Sequence, residues 1–183
     1  MARPREFDTD KVLNALQDVF WERGYEGTSY AHIMAATGLR KGSLYSAFGD
    51  KRALYLEALA QYDTNKVSDG VAKLSNINLT GPERIGALMQ SLVDAAETKR
   101  GRWGCLLCNA AVDQAPFDKQ TETVVLKSMN RMKQAIAKAL EDTKAADKVE
   151  AIWTLYFGGR VIIKSGASKA TLAALKTQTL SLI

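Results

Sequence analysis

Two cysteines three positions apart, Cys105 and Cys108, are the side chains of this sequence best suited to covalent chemistry. Three basic residues, Lys99, Arg100 and Arg102, come just before them, and a short predicted helix begins at Cys105. Nearby cations and a helix N-terminus both favour a thiolate over a thiol. The pattern therefore predicts a reactive Cys105, with Cys108 as a resolving thiol one helical turn away. The alternative is simple packing, because free cysteines are among the residues most often buried.

A second group of polar residues, between positions 28 and 51, has the composition of a DNA-binding surface. Two short amphipathic helices flank a turn at Gly38, and the second, over residues 39–46, would project its side chains into a major groove. The hydroxyls of Thr28 and Ser29 are candidate N-caps of the first motif helix. The predicted DNA-contacting residues are Thr28, Ser29, Arg40, Lys41, Gly42, Ser43, Tyr45, Ser46 and Lys51.

The elements that would position these groups are all helices. Only three prolines occur, and abundant Ala, Leu, Lys and Gln without β-branched alternation predict an all-α protein. A helix over residues 8–24 would complete a three-helix DNA-binding domain spanning residues 1–50. Residues 51–183 would form a helical bundle for ligand sensing and dimerisation. A long helix over residues 50–74 would join the two domains.

Five further helices are predicted in the second domain, at about 82–99, 105–112, 116–140, 145–164 and 169–180. A ligand pocket would form between them, because aromatic and methionine side chains suit an adaptable apolar cavity. The residues assigned to this pocket are Met89, Leu92, Trp103, Phe117, Leu126, Met129, Trp153 and Phe157. The same side chains would equally serve as ordinary core. Nothing in the sequence identifies an inducer.

The helix predicted over residues 145–164 is apolar around more than one face, which requires burial on two sides. Gly158 and Gly159 each cost this helix about 1 kcal/mol relative to alanine, which indicates close approach of another backbone. We therefore expect a homodimer held by the last two helices, because paired recognition helices read palindromic DNA. The alternative is the central helix of a monomeric bundle.

The spacing of the DNA-binding motif resembles that of the TetR family of one-component transcriptional regulators. The family pattern combines G-x-x-x-T-S-x-x-x-I-A with G-V-S-K-G-T-L-Y-x-Y-F-x-x-K-x-x-L. The matching residues are Gly24, Thr28, Ser29, Ile33, Gly38, Lys41, Gly42, Ser43, Leu44, Tyr45, Phe48, Lys51 and Leu54. The resemblance implies a homodimeric repressor that binds a palindromic double-stranded operator and is released by an effector. Departures fall on DNA-facing positions: Arg40 replaces a usual Ser, Ala47 an aromatic residue, and Ala31 and His32 frequent charges.

The segment W-G-C-L-L-C-N-A-A-V-D resembles a motif of one TetR branch, in which G-C-L-x-x-N precedes an acidic residue at the position of Asp113. The tail G-G-R-V-I-I-K-S-G-A-S-K-A-T-L resembles that branch too. Some of its members sense reactive electrophiles or oxidants through the cysteine corresponding to Cys105, and others do not. The resemblance therefore implies either a small-molecule effector or a reactive electrophile.

Charge and composition narrow the remaining classes. Net charge is +5. Basic residues of the first domain gather where phosphates would be met, at Arg3 and Arg5, Arg40 and Lys41, and Lys51 and Arg52. No apolar run reaches the roughly 18 residues of a membrane span, and no signal-peptide core is present, so a cytoplasmic protein without a membrane partner is expected.

The sequence offers little machinery for catalysis. One histidine, no metal-ligand cluster and no β-α-β pattern around the cysteines argue against an enzyme, a metal site or a cofactor. Two alternatives to a specific regulator stay open. One is a thiol-disulfide redox protein that uses Cys105 and Cys108, and the other is a DNA-binding protein without sequence preference.

Overall fold

The computed structural model describes residues 7–183, and this part of the chain is entirely helical apart from its turns. Its ten α-helices are α1 Thr9–Arg23, α2 Tyr30–Thr37, α3 Lys41–Phe48, α4 Lys51–Tyr62, α5 Ser68–Leu74, α6 Gly81–Ala95, α7 Leu106–Asp113, α8 Lys119–Leu140, α9 Val149–Lys164 and α10 Lys169–Leu180. The predicted all-α fold is confirmed. Arg3 and Arg5 lie outside the described residues. None of the described helices combines the length and hydropathy needed to cross a bilayer.

The first four helices share a core. Side chains from each of them are fully buried, namely Leu16, Phe20, Ile33, Leu44 and Leu54. The turn between α2 and α3 depends on Gly38, whose φ of 70° lies in the left-handed region that glycine adopts without strain. The expected helix-turn-helix is therefore present, with α1 and α4 packed together behind it.

The helix expected over residues 50–74 is continuous in the structure, but a π-helical turn divides it into two α-helices. After α4 ends at Tyr62, a π-helical turn over Asp63–Val67 leads directly into α5. Such turns occur frequently at functional sites. Because α4 packs on α1 and also contacts α8, the division of the chain at residue 50 stays a prediction.

Helix α6 ends earlier than predicted because the chain folds back over its end. A Cβ on Gly101 would lie 1.8 Å from the carbonyl oxygen of Ala95, so only glycine fits in this 3₁₀ turn. Helix α8 begins at Lys119 rather than at Pro116, because Asp118 is its N-cap and accepts the Thr121 N–H at 3.2 Å. Helix α9 begins at Val149, behind a 3₁₀ turn over Ala146–Lys148.

Helix α9 crosses the bundle with one face buried and the other exposed. A Cβ on Gly159 would lie 2.6 Å from Cδ1 of Leu92 and 3.0 Å from Cδ2 of Leu175. The close approach expected at Gly159 is therefore to side chains of the same subunit, and the expectation of a partner's backbone there is wrong. Gly158 faces open space.

Candidate functional site

The outward face of α3 carries most of the predicted DNA-contacting residues. Leu44 is fully buried and holds the helix on the core, whereas Tyr45 is 57% exposed. Arg40 occupies the N-cap position without a side-chain hydrogen bond to the helix. We call the exposed set the reading face, which consists of Arg40, Lys41, Gly42, Ser43, Tyr45 and Ser46. Residues at the N-terminal end of a recognition helix are those that reach base edges.

Two lysines of this region rest on aromatic rings. The Nζ atom of Lys41 lies 4.7 Å from the centroid of Tyr30, and that of Lys51 lies 4.4 Å from the centroid of Tyr25. Cation–π contacts of this kind are worth about 0.5–1 kcal/mol at exposed sites and leave the ammonium charged. They orient both lysines without neutralising them.

Thr28 and Ser29 have different roles, and the expectation that the Thr28 side chain contacts DNA is wrong. Thr28 is 1% exposed, and its hydroxyl donates to the Gly24 carbonyl oxygen at 2.6 Å. Ser29 is the N-cap of α2: its Oγ accepts the His32 N–H, and Nδ1 of His32 accepts the Ser29 N–H, both at 3.2 Å. His32 thus fills the place that Glu or Gln usually takes in a capping box. Ser29 is exposed, so its contact with DNA stays a prediction.

Cys105 lies in the interior beside groups that are distant in sequence. It is 3% exposed and is the N-cap residue of α7, while Cys108 is 9% exposed, and both are free. Nη2 of Arg160, on α9, donates to the Tyr62 hydroxyl at 3.0 Å, and this hydroxyl hydrogen-bonds to the Cys105 sulfur. We call Cys105, Cys108, Tyr62, Tyr156 and Arg160 the cysteine cluster.

The surroundings of the two thiols shift their pKa values in opposite directions. Hydrogen bonding with Cys108 is the largest influence on Cys105; burial opposes it, and the positive charge of Arg160 reinforces it, so that the pKa of Cys105 falls to about 5. The pKa of Cys108 is raised, because its thiol is the partner of Cys105 and is itself buried. The lowered pKa of Cys105 favours its thiolate, which is the nucleophilic form.

Arg160 explains why a thiolate is stable there. It is 9% exposed, and its Nε has no hydrogen-bond partner among the described residues. A guanidinium does not lose its proton in a protein, and a buried charge is costly unless it is paired. The acidic groups that act on Arg160 are Tyr62, Tyr156 and Cys105, and of these Cys105 is the one whose lowered pKa favours an anion that can balance it.

The three basic residues before Cys105 were expected to stabilise its thiolate, and this expectation is wrong. Two of them pair with carboxylates of α1, Lys99 with Glu22 at 3.6 Å and Arg100 with Asp18. The third, Arg102, is exposed. The stabilising charge comes instead from Arg160.

The residues assigned to an apolar ligand pocket do not enclose a common cavity. Met89 is fully buried in the core, whereas Phe117 is 86% exposed. Trp103 packs edge-on against Trp21, with ring centroids 5.5 Å apart. The indole N–H of Trp153 donates to the Met129 carbonyl oxygen at 3.2 Å. Phe157 lines a small cavity beside Cys105, whereas Leu126 and Met129 line a separate surface cavity, so the prediction that all eight residues share one pocket is wrong.

Two cavities instead adjoin the cysteine cluster. The outer cavity, of about 260 Å³, lies between α5, α6 and the turn over Gly101–Trp103. The inner cavity is much smaller, about 10 Å³, and is lined by Cys105 and Tyr62. Three residues, Lys66, Tyr156 and Arg160, line both. These three side chains therefore stand between the outer cavity and the cavity that reaches the thiol.

Comparison with known proteins connects this architecture to a family. Residues 12–58, from α1 into α4, match the family described as "Bacterial regulatory proteins, tetR family". Over this region the chain is similar to the TetR family. It is 34% identical over 122 residues to the HTH-type transcriptional regulator YezE of Bacillus subtilis strain 168, covering 66% of this chain and 61% of that protein. It is 27% identical over 132 residues to the HTH-type transcriptional repressor ComR of Escherichia coli K12, covering 72% and 62%.

The chain spans about three fifths of the length of these two relatives. The similarity to solved structures extends over nearly the whole chain. A cysteine mutant of the TetR family transcriptional regulator CifR, in complex with 26-base-pair operator DNA, has a TM-score of 0.81 and 28% identity over 98% of both chains. The reduced form of E. coli NemR shares the fold, with a TM-score of 0.82 at 17% identity over 94% and 95% of the two chains. The relatives named here are described as transcriptional regulators or repressors.

Sequence reasoning missed Tyr62 and Arg160. Arg160 did leave a signal, because it is the only charged residue between Glu150 and Lys164 in an otherwise apolar helix. Tyr62 gave no such signal, because an aromatic residue at the end of an amphipathic helix is usually interpreted as a core residue.

Proposed function

We propose that the chain is a homodimeric, sequence-specific repressor that leaves its operator when Cys105 is modified by an electrophile or an oxidant. The observation that carries DNA binding is the reading face, an exposed and positively charged face on the second helix of a helix-turn-helix. The relative solved with operator DNA supports it. The resemblance to the branch with the G-C-L-x-x-N motif supports the role of Cys105.

Binding titrations would test the reading face. Lys51→Ala should weaken binding to every duplex and flatten the salt dependence by about one unit, because one phosphate contact is lost. Arg40→Ala should cost about 1–3 kcal/mol on the operator alone if its guanidinium reads a base. Fluorescence anisotropy with an operator selected from random duplexes, and with a scrambled duplex, would separate the two. Lys144→Ala, exposed after α8, is the matched control. Equal binding by wild type and both variants would contradict the assignment.

The dimer is proposed to form through the exposed face of α9 together with α10. Small and apolar residues recur on this face at helical spacing, at Ala151, Leu155, Gly158, Val161 and Ile162. Val161 is 53% exposed, and nothing lies within 4 Å of a Cβ on Gly158. Such a stripe allows two helices to approach closely.

Replacing Gly158 with leucine should split the dimer while leaving the subunit folded, because the added side chain meets only the partner. Gly159→Leu is the contrasting variant and should lower stability by about 1–3 kcal/mol, because it overpacks the subunit's own core. Sedimentation velocity would report the first effect and thermal unfolding the second. A wild-type monomer that binds its operator fully would contradict the dimer.

The sensor role of Cys105 is supported by its thiolate character and by its contact with α4. When the Cys105 sulfur adds to the electron-poor carbon of a quinone or an aldehyde, a carbon–sulfur bond forms, the π bond at that carbon breaks, and its electron pair takes up a proton from water. The sulfur thereby loses the negative charge that balances Arg160. The Tyr62 hydroxyl would then lose its anionic partner. Tyr62 ends α4, directly before the π-helical turn, and its ring lies edge-on to Trp21 of α1 at 5.0 Å. Modification would thus favour a different arrangement of the two helices that support the reading face.

Operator release after treatment with a quinone or an aldehyde would test this role. Cys105→Ser should stay bound, and Cys108→Ser should respond at least partly. Tyr62→Phe should still be modified but should release the operator less completely. Intact-mass analysis would count the adducts. If Cys105→Ser leaves DNA with the wild-type dose dependence, the thiol is a packing residue and the effector binds elsewhere.

A further inference from the structure

The entrance to the Cys105 thiol is unusually rich in positive charge for a route into a protein core. Of the three side chains that line both cavities, Lys66 and Arg160 are cations and Tyr156 is a phenol. Arg160 is more than nine-tenths buried, and its Nε has no partner among the described residues although it borders the outer cavity. The Lys66 ammonium forms no ion pair with any described residue, whereas Arg100, which lines the same cavity, is paired with Asp18.

The carboxylates of the outer cavity do not cancel this charge. Asp69 and Asp94 line it, and both are exposed at its rim, with Asp94 accepting the Gln90 amide at 2.8 Å. Lys73 and Arg100 line it as well, and Arg100 is bound to Asp18. Nearer the thiol, Lys66 and Arg160 have no carboxylate partner among the described residues, and the Cys105 sulfur is the one acidic group that offsets their two charges.

We propose that Lys66, Tyr156 and Arg160 form an anion-selective entrance to Cys105, so that the effector is a small electrophile bearing a carboxylate or another oxyanion. This inference rests on the sensor function proposed above. A volume of about 260 Å³ limits the molecule to a few heavy atoms beyond the reactive group, since drug-sized ligands occupy roughly 300–1,000 Å³. The oxyanion would bind the free donors of Arg160 and Lys66, which places the electrophilic carbon towards the sulfur.

Iodoacetate and iodoacetamide offer a matched pair of probes. In both reactions the Cys105 sulfur attacks the methylene carbon, a carbon–sulfur bond forms and iodide leaves, so no oxidant is needed. The two reagents differ only in charge. Towards an ordinary thiolate iodoacetate is disfavoured by like-charge repulsion, and the ratio of the two rate constants for 2-mercaptoethanol in the same buffer measures this intrinsic preference.

Rates at Cys105 would be measured by intact mass and peptide mapping on the reduced full-length protein. We expect the iodoacetate-to-iodoacetamide ratio at Cys105 to exceed that of 2-mercaptoethanol by about tenfold or more, as expected for an anion next to two cations in a poorly solvated site. Lys66→Gln should lower the ratio, because the iodoacetate rate falls more than the iodoacetamide rate. Lys127→Gln, on the exposed side of α8, makes the same change in net charge and should leave the ratio at its wild-type value.

The outcomes separate this inference from the sensor function. If both reagents label Cys105 with the ratio of 2-mercaptoethanol, or if Lys127→Gln lowers the ratio as much as Lys66→Gln does, anion selection is overturned while the sensor function stands. If neither reagent labels Cys105, both are overturned. A raised ratio that depends on Lys66 supports the anionic effector.

Discussion

The reading face and the cysteine cluster are opposite solutions to the problem of placing charge in a protein. The cations of the reading face are exposed, and two of the neighbouring lysines lie over aromatic rings, where water still solvates them. In the cluster, Arg160 and Cys105 are both buried and each compensates the charge of the other. Charges in water act nearly independently, whereas charges in a low-dielectric interior depend strongly on their partners.

This difference has a functional meaning. A surface that binds a polyanion gains from several separate contacts, each of which adds to affinity. A switch needs the reverse, because one chemical event must disturb several groups at once. Modification at Cys105 would disturb a hydrogen-bonded chain of four side chains, Cys108, Cys105, Tyr62 and Arg160, drawn from α4, α7 with its N-cap, and α9.

The largest expected effect is on the cluster, from Arg160→Met. In the wild type the alkylation rate of Cys105 should fall as pH drops through about 5, because the thiolate takes up a proton there. Loss of the guanidinium should raise this midpoint by about 1 to 3 pH units. Stopped-flow alkylation with iodoacetamide from pH 4 to 9 would measure it. Arg102→Met, close in sequence but exposed, should leave the midpoint unchanged. An equal shift in both variants would mean that general net charge, and not the cluster, lowers the pKa.

The same contrast separates the features that could be predicted from local sequence from those that depend on long-range contacts. The bounds of α10 and the N-cap role of Ser29 follow from local periodicity and hydroxyl placement, and the structure has both. The contact between Arg160 and Tyr62 joins residues 98 positions apart, so no local pattern contains it. Whether Gly159 faces its own subunit or a partner depends on the position of Leu92, and this position is likewise set by tertiary packing.

The second effect is a test of additivity. The losses of operator affinity in Arg40→Ala and Lys51→Ala should add within about 0.5 kcal/mol in the double variant, as for independent exposed sites. In the cluster, the rises in the pKa of Cys105 caused by Cys108→Ala and Arg160→Met should not add, because both partners act on one sulfur. Anisotropy and alkylation pH profiles would supply the two cycles. Strong coupling on the reading face would remove the distinction drawn between the regions.

A third effect concerns Thr28, which belongs to the DNA-binding motif yet is buried. Thr28→Val should lower the free energy of unfolding by about 1 kcal/mol, because the Gly24 carbonyl oxygen loses its hydroxyl donor. Operator affinity per folded molecule and its salt dependence should not change. Thr28→Ser retains the hydroxyl and is the control. A weaker salt dependence at unchanged stability would show that this hydroxyl reaches a phosphate after all.

The smallest effect tests whether the two regions are also joined at the surface. Nη2 of Arg52, in the first turn of α4, donates to Oδ1 of Asp118 at 2.6 Å, and this hydrogen bond is the main reason why the pKa of Asp118 falls to about 2. The side chains are 45% and 20% exposed, so Arg52→Met should destabilise the fold only slightly, as expected for a solvent-screened ion pair. Because the pKa is lowered in the folded state, this contribution is complete above the ordinary value of 3.8 and is lost as pH falls towards 2. Urea unfolding should therefore give a constant difference between wild type and variant from pH 5 to 8 and a shrinking one below pH 4. Lys119→Met, which breaks only a pair within α8, is the control. A difference that grows as the pH falls would assign the stabilisation to something other than this ion pair, and would leave Tyr62 as the stronger connection between α4 and the bundle.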